Sequence, residues 1–406
     1  MIFLYNIGIF LYGLILRLVA PFNSKAKLFV EGRKHIFKQI EGKINPAERH
    51  IWFHFASLGE FEQGRPVLER LKAEFPDKKI VITFFSPSGY EIRKNYPLAE
   101  GVFYLPLDTR KNARTFIKLI NPEIAVFTKY EFWHHYFEAL SQRNAPLFLI
   151  SGIFRPDQIF FKFYGAFNRN MLKHITWFFV QNQQSVDLLK SIGIQSSTIA
   201  GDTRFDRVAA NAEAPASLPL VSQFKGNQQL FIAGSTWPAD EAILKGLCDS
   251  IPDWKIIIAP HEIGAEHIKK IELIFPGAIR YSKLTPSNAG MFRMLIIDNI
   301  GMLSALYQYG TVAYIGGGFG VGIHNTLEAA AFGMPVIFGP NYMKFQEAHD
   351  LIRIGAARSV EDEKSLITAF QSFVNDQKAA SLAKEYVAQQ KGATASIYDK
   401  IRNYLN

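Results

Sequence analysis

The chain is poor in the residues on which several kinds of chemistry depend. It has a single cysteine, Cys248, among 406 residues, so no intramolecular disulfide can form and a reducing compartment suits it. The ten histidines make no HExxH, and nowhere does Asp-x-Asp occur. His134 and His135 are adjacent, and on a helix adjacent side chains are expected to project in different directions. No metal site is therefore expected, nor a metal-dependent, single-domain nucleotide-sugar transferase. A Gly-Lys-Ser/Thr phosphate loop, a GxSxG elbow, zinc-finger spacing and RNA-binding aromatic motifs are also missing, which speaks against a P-loop ATPase, a serine hydrolase and a nucleic-acid partner. Only 20% of the residues are charged and 48% are hydrophobic, a composition that belongs to ordered globular proteins.

What is present is unevenly placed. Of the net charge of +9, more than half lies between Arg17 and Arg49, where eight basic residues meet three acidic ones. This segment follows the most apolar run of the chain, MIFLYNIGIFLYGLIL (Met1 to Leu16), broken only by Asn6 and two glycines. No positive charge precedes the run, as it would in a signal peptide. The expectation is a membrane anchor over residues 1–22 that spans or dips into the bilayer, its basic flank on anionic lipid at the cytoplasmic side. A buried core helix is the alternative.

From residue 51 short apolar runs alternate with amphipathic ones. Strands are predicted at 51–56, 79–85, 101–105, 123–128, 146–150, 176–180 and 197–200, a rhythm of βαβ units on a parallel sheet. Residues 201–225, rich in Ala, Pro and Ser, break the rhythm and read as a linker. It resumes at 228–233, 255–259, 293–297, 311–315 and 335–338. The organisation is thus α/β: an anchor (1–22), a Rossmann-like domain (23–205), a linker (206–225) and a second Rossmann-like domain (226–406), the two domains facing a cleft at the carboxyl ends of their strands.

Two stretches carry the strongest chemical signals. In IWFHFASLGEFEQGRPVLERLK (Ile51 to Lys72) a strand hands over to a helix at Ser57-Leu58-Gly59-Glu60. Ser57-x-x-Glu60 fits a capping box, and a carboxylate in that place also suits a general base. In YIGGGFGVGIHNTLEAAAFGMPVIFGP (Tyr314 to Pro340) a strand ends in Gly316-Gly317-Gly318 and a helix opens around Asn325. Glycine and a helix N-terminus together suit a phosphate. Glu328, three residues after Asn325, is either part of a cap or an acceptor for ribose hydroxyls. Ser235 and Thr236 in GSTWPADE form a possible anion seat, His261 ends another strand in APHE, and DNIGML (Asp298 to Leu303) holds a glycine turn where backbone could meet a base.

SLGE after the first strand, KYEFW (Lys129 to Trp133), GDTRFD (Gly201 to Asp206) and the long glycine-rich stretch occur in an order that resembles the bacterial Kdo transferases. These enzymes move 3-deoxy-D-manno-octulosonic acid (Kdo) from CMP-Kdo to the lipid A precursor, lipid IVA. The resemblance covers nearly the whole chain. It implies a GT-B fold at the cytoplasmic face of the inner membrane and inverting, metal-independent chemistry without a cofactor, with the acceptor held by the N-terminal domain and CMP by the C-terminal one. Glu60 matches the general base, and Glu131 and Arg204 match positions that stabilise the transition state. Pro260 and His261, Ile300 to Met302 (with Gly301), and Asn325, Thr326, Leu327 and Glu328 match CMP-holding segments; Ser235, Thr236, Gly317 and Gly318 join them from the reading above. The chain departs from the family pattern at Arg204, where Lys is common, at Ala259-Pro260-His261, where Pro-Arg-His is, so that an expected phosphate-binding Arg is missing, and at Met302, where Glu is. Three other readings are a GT-B enzyme that uses a UDP-sugar on a lipid-linked acceptor, a membrane-tethered nucleotide-sugar-binding protein without catalysis, and an epimerase, which the membrane segment makes less attractive.

Overall fold

The computed structural model describes residues 1–374 and 376–405. The chain forms two compact units, Met1–Asp206 with Gly392–Asn406, and Arg207–Lys391.

The first unit is built on seven parallel strands: β1 (His50–Phe55), β2 (Lys79–Phe84), β3 (Gly101–Tyr104), β4 (Pro122–Thr128), β5 (Leu147–Gly152), β6 (Trp177–Val180) and β7 (Ser197–Ile199). Their order is β3-β2-β1-β4-β5-β6-β7. Side chains alternate between two apolar layers. Trp52, Val81, Phe127 and Leu149 face one; Ile51, Phe53, Phe55, Ile82, Val126 and Phe148 face the other. Burial on both faces explains why these strands read as continuous apolar runs. Each large apolar side chain so buried contributes about 1.5–3 kcal/mol.

The second unit repeats the plan with β8 (Leu230–Thr236), β9 (Lys255–Pro260), β10 (Ile279–Arg280), β11 (Met294–Ile296), β12 (Val312–Ile315), β13 (Val336–Phe338) and β14 (Ala357–Ser359). Here the order is β10-β11-β9-β8-β12-β13-β14, again all parallel.

Three expectations change. The stretch read as a linker over 206–225 is largely helical, in Thr203–Glu213 and Pro219–Lys225, and the units divide at Asp206/Arg207. The second unit does not run to 406, because residues from Gly392 onward return to the first. Their helix, Ala393–Ile401, packs on the Leu58–Glu74 helix, with Ile397 and Ile401 buried in the same layer as Phe53 and Leu71. The Gly392 and Thr394 N–H groups donate to Asp206. At the sheet edges β10 and β14 appear, each interrupted by an arginine and so without an apolar run.

The N-terminal helix runs Ile2–Val19, and of its residues only Gly13 is buried, so it is not a core helix. Its 18 residues are long and apolar enough to cross a membrane, at about 27 Å for 1.5 Å per residue. One side touches the first unit. A Cβ at Gly13 would lie 2.8 Å from Leu107 Cδ1, Tyr5 donates its hydroxyl to Asp108, and Tyr12 stacks on Phe85. Of the basic flank, Lys25, Lys27, Lys34 and Lys38 are exposed. Arg33 instead turns inward, donating to the Leu105, Phe29 and Phe85 carbonyls with its guanidinium 3.5 Å from the Phe29 ring centroid.

Candidate functional site

In each sheet the chain leaves the first strand in both directions. β1 is flanked by β2 and β4, and β8 by β9 and β12. The loops above such a strand diverge and open a crevice at the carboxyl ends, where ligands of open α/β sheets bind. The candidate residues gather at these two places.

Glu60 lies in the first turn of the Leu58–Glu74 helix. The capping box does not form: Ser57 is the N-cap residue in backbone terms, but its side chain caps no N–H. The Ser57 hydroxyl donates to Glu60 Oε2, turning the carboxylate away from the helix backbone and leaving it half-buried.

Glu131 follows β4 on a segment that begins with Lys129 in the left-handed region (φ 59°), which is costly for a side-chain-bearing residue. Its Oε2 accepts from His54 Nε2 at 3.1 Å and Trp133 Nε1 at 2.8 Å. Behind it runs a buried chain: His54 Nδ1 lies 2.9 Å from Thr83 Oγ1, which accepts from Trp52 Nε1 at 2.8 Å. His54 thus bridges Thr83 and Glu131 with its two ring nitrogens.

Arg204 is gripped by Asp202, with Nε at 2.9 Å and a second guanidinium nitrogen at 2.8 Å from Oδ2. Gln63, one turn beyond Glu60, also donates to Asp202, at 3.1 Å. Burial alone would raise the Asp202 carboxyl, but the charge and hydrogen bonds of Arg204, together with Lys129, hold it below the usual carboxylate range. Sequence reasoning missed His54, Thr83, Gln63 and Asp202. The signal available was a polar residue inside an apolar strand and an acid two places before Arg204.

The second unit changes several roles. A Cβ on Gly316 would fall 2.3 Å from the Ser235 carbonyl oxygen, and one on Gly318 2.6 Å from the Gly339 backbone. These glycines are thus required by backbone packing. Gly317 has φ 92°, and its N–H already donates to Asp240 Oδ2 at 2.9 Å, as does the Trp237 N–H. Ser235 is left-handed (φ 54°). Thr236 is buried and donates to Glu241 at 3.0 Å, so its hydroxyl is not an anion seat.

The helix expected around Asn325 is the short turn Leu327–Ala331. Asn325 accepts from Leu327 N–H at 3.1 Å and donates to Glu328 Oε1 at 3.0 Å, and Thr326 is buried behind them. Beneath Glu328 is Tyr307, whose phenol is raised by burial and then by the Glu328 charge. Pro260 ends β9, and His261 stacks 4.3 Å from His324 and 4.8 Å from Trp237. Trp237 Nε1 donates to His324 Nε2 at 3.0 Å; burial, then His261, lowers His324 to about 4, so it is a neutral ring with its proton on Nδ1. Ile300 is 86% exposed and Met302 only 8%, with Gly301 between them at φ 98°. What this turn can offer a base is backbone and the Ile300 side chain.

The expected divergence of His134 and His135 is also corrected. Among the described residues their ring nitrogens and the Glu138 carboxylate lie within 4.8 Å of one another, as do ligand atoms of Glu48, His50 and Glu100. The second group is already filled: His50 bonds Ile120 O at 2.6 Å and Glu100 at 2.8 Å, and Lys79 pairs with Glu48 and Glu100.

Two Rossmann-like units in one chain, each with a polar cluster above its first strand, are the make-up of the GT-B fold, and the family model and relatives that the chain matches make it a glycosyltransferase. Residues 31–207 match the family model for 3-deoxy-D-manno-octulosonic-acid transferase (kdotransferase), so the resemblance to that family is borne out. The chain is 26% identical to the 3-deoxy-D-manno-octulosonic acid transferase of Haemophilus influenzae over 384 residues, covering 89% of this chain and 88% of that one. To its counterpart in Chlamydia muridarum it is 26% identical over 340 residues, 81% and 79% of the two chains. Among solved structures, UDP-GlcNAc 2-epimerase from Neisseria meningitidis superposes with a TM-score of 0.59 at 13% identity, covering 88% of this chain and 99% of that one. The calicheamicin glycosyltransferase CalG4 does so at 0.56 and 12%, over 88% and 98%. At such identities the likeness speaks for the fold.

Proposed function

We propose that the protein transfers Kdo from CMP-Kdo to the lipid A precursor, lipid IVA, at the cytoplasmic face of the inner membrane, with inversion and with no metal at the reacting centre. The observation that carries this reading is the state of Glu60. A carboxylate above the first strand, released from capping and oriented by Ser57, is arranged as a base.

Glu60 takes the acceptor hydroxyl proton as the new C–O bond forms on one face of the sugar, and CMP leaves from the other. Glu131, held by His54 and Trp133, favours positive charge at an oxocarbenium-like centre. Arg204, fixed by Asp202, favours negative charge on the donor. Preorganised charges of this kind need no reorientation during reaction. On the donor side the Trp237, His261 and His324 stack, the Ile300–Met302 turn, and Asn325 with Glu328 hold CMP. The apolar N-terminal helix attaches the enzyme to the membrane. It is aided by Phe163, 93% exposed, in the loop before Phe167, whose ring packs against Tyr5.

The test is to incubate the purified protein with CMP-Kdo and lipid IVA and weigh the lipid by mass spectrometry. A gain of one or more Kdo units is expected. Unchanged lipid with CMP-Kdo, together with turnover of a UDP-sugar, would replace this reading by the UDP-sugar alternative.

A further inference from the structure

His134 and His135 open the helix His134–Gln142, directly after the segment that carries Glu131 and Trp133. The two rings are packed under the N-terminal helix: Tyr5 lies edge-on to both, at 5.8 and 6.0 Å, and Phe167 covers His134 at 5.0 Å. In this apolar shell both ring nitrogens of His134 and Nδ1 of His135 are buried and have no hydrogen-bond partner. Buried polar atoms are rarely left so, because each forfeits the hydrogen bonds it had in water.

His135 defines what is missing. Its side chain is only 3% exposed. Nε2 sits 2.7 Å from Asn6 Oδ1, and a carbonyl oxygen can only accept, so the ring proton is on Nε2. Nδ1 faces Glu138 Oε2 at 3.8 Å, beyond hydrogen-bond reach, and His134 adds a third ligand atom within 4.8 Å. A cation satisfies all three.

We propose that His134, His135 and Glu138 bind a divalent transition-metal ion, with zinc as the best fit, beneath the N-terminal helix. Imidazole nitrogens with one carboxylate are a zinc donor set. Bonds of about 2.0–2.1 Å place tetrahedral donors about 3.3 Å apart, so the group closes by roughly 1.5 Å or less. Asn6 holds the second nitrogen of His135, the usual outer partner of a ligating histidine. That explains an asparagine in an otherwise apolar helix. The ion sits beside the Lys129–Trp133 segment, so it steadies Glu131 through the chain and takes no part in transfer. The other His–Glu group differs in that the Lys79 ammonium already occupies the position of its cation.

The experiment uses the full-length protein, without a histidine tag, in detergent. After exposure to zinc and dialysis, elemental analysis should find about one zinc per chain, and zinc, unlike magnesium, should raise the melting temperature until a chelator reverses the shift. His135→Ala combined with Glu138→Gln should abolish both effects. Asn6→Ala should retain the fold and weaken zinc binding about 10- to 100-fold, and Glu48→Gln should bind as wild type. The proposal is overturned if wild type retains no zinc and shows no shift, if the double variant keeps full stoichiometry, or if Glu48→Gln loses the ion.

Discussion

His54 and Glu131 are joined across β1 and β4 by a 3.1 Å bond from Nε2 to Oε2, with the imidazole fully buried and the carboxylate 15% exposed. A histidine on the first strand thus sets the direction of an acid that the resemblance assigns to transition-state stabilisation. His54→Ala should lower kcat roughly 10-fold at little change in KM for the donor, and cost about 1–3 kcal/mol from the unpaired Thr83 and Glu131. A variant with wild-type kcat would show that Glu131 needs no such support. Steady-state kinetics with a thermal melt separates the two effects.

Glu60→Gln retains the shape of the side chain and can still accept from Ser57, but it takes no proton. Folding and CMP binding should stay near wild type while turnover drops by about 10²-fold or more. Turnover within a few-fold of wild type in a folded variant would remove the general-base role.

Glu328→Gln tests the donor end. CMP should bind about 10-fold more weakly by calorimetry, with melting temperature of the free protein nearly unchanged, because Asn325 rather than Glu328 receives the Leu327 N–H. Unaltered CMP affinity would return Glu328 to a local structural role.

Asp108 predicts a pH effect. It accepts from Tyr5 and from the His135 and Tyr136 N–H groups, and burial pushes its carboxyl up from 3.8 to about 6 despite those bonds. A raised pKa means that the folded protein binds the proton more tightly than the unfolded one. The stability so gained is complete below about pH 4 and is lost as pH rises through 6, a change of about 3 kcal/mol. Thermal melts from pH 4 to 7 should show this decline in wild type and a flatter profile in Asp108→Asn. Parallel profiles would refute it.

Removal of Met1–Arg17 should release the protein from membranes at moderate salt and leave CMP binding intact, since the segments proposed to hold CMP all lie beyond residue 230. Sedimentation with vesicles at two ionic strengths checks it. Weak attachment at low salt alone is expected from Lys25, Lys27, Lys34 and Lys38.

Much of the fold was legible because strands buried on both faces write uninterrupted apolar runs. Twelve of the strands were expected within a few residues of where they lie. β10 and β14 were not, since Ile279-Arg280 and Ala357-Arg358-Ser359 each carry an arginine and write no apolar run. The helices at Thr203–Glu213 and Pro219–Lys225 were hidden by the Ala, Pro and Ser between them. At the site, Glu60 followed from where a strand ends, and Glu131 and Arg204 only from the family resemblance. Their holders did not, because His54, Thr83 and Asp202 meet them only through tertiary contact. The glycines of 316–318 misled for a related reason: a backbone pressed against Ser235 and Gly339 demands the same residue as a phosphate loop does.

The return of Gly392–Asn406 to the first unit makes the second unit an insertion within it. On the ribosome, Arg207–Lys391 can collapse as one continuous piece as soon as it has emerged. The first unit must wait, its layer around Phe53 and Leu71 left open until Ile397 and Ile401 are synthesised. The domain that begins first is the one completed last, and the surface left uncovered meanwhile is apolar. A nascent chain stalled before residue 392 should therefore carry a protease-resistant second unit behind a first unit that is still sensitive.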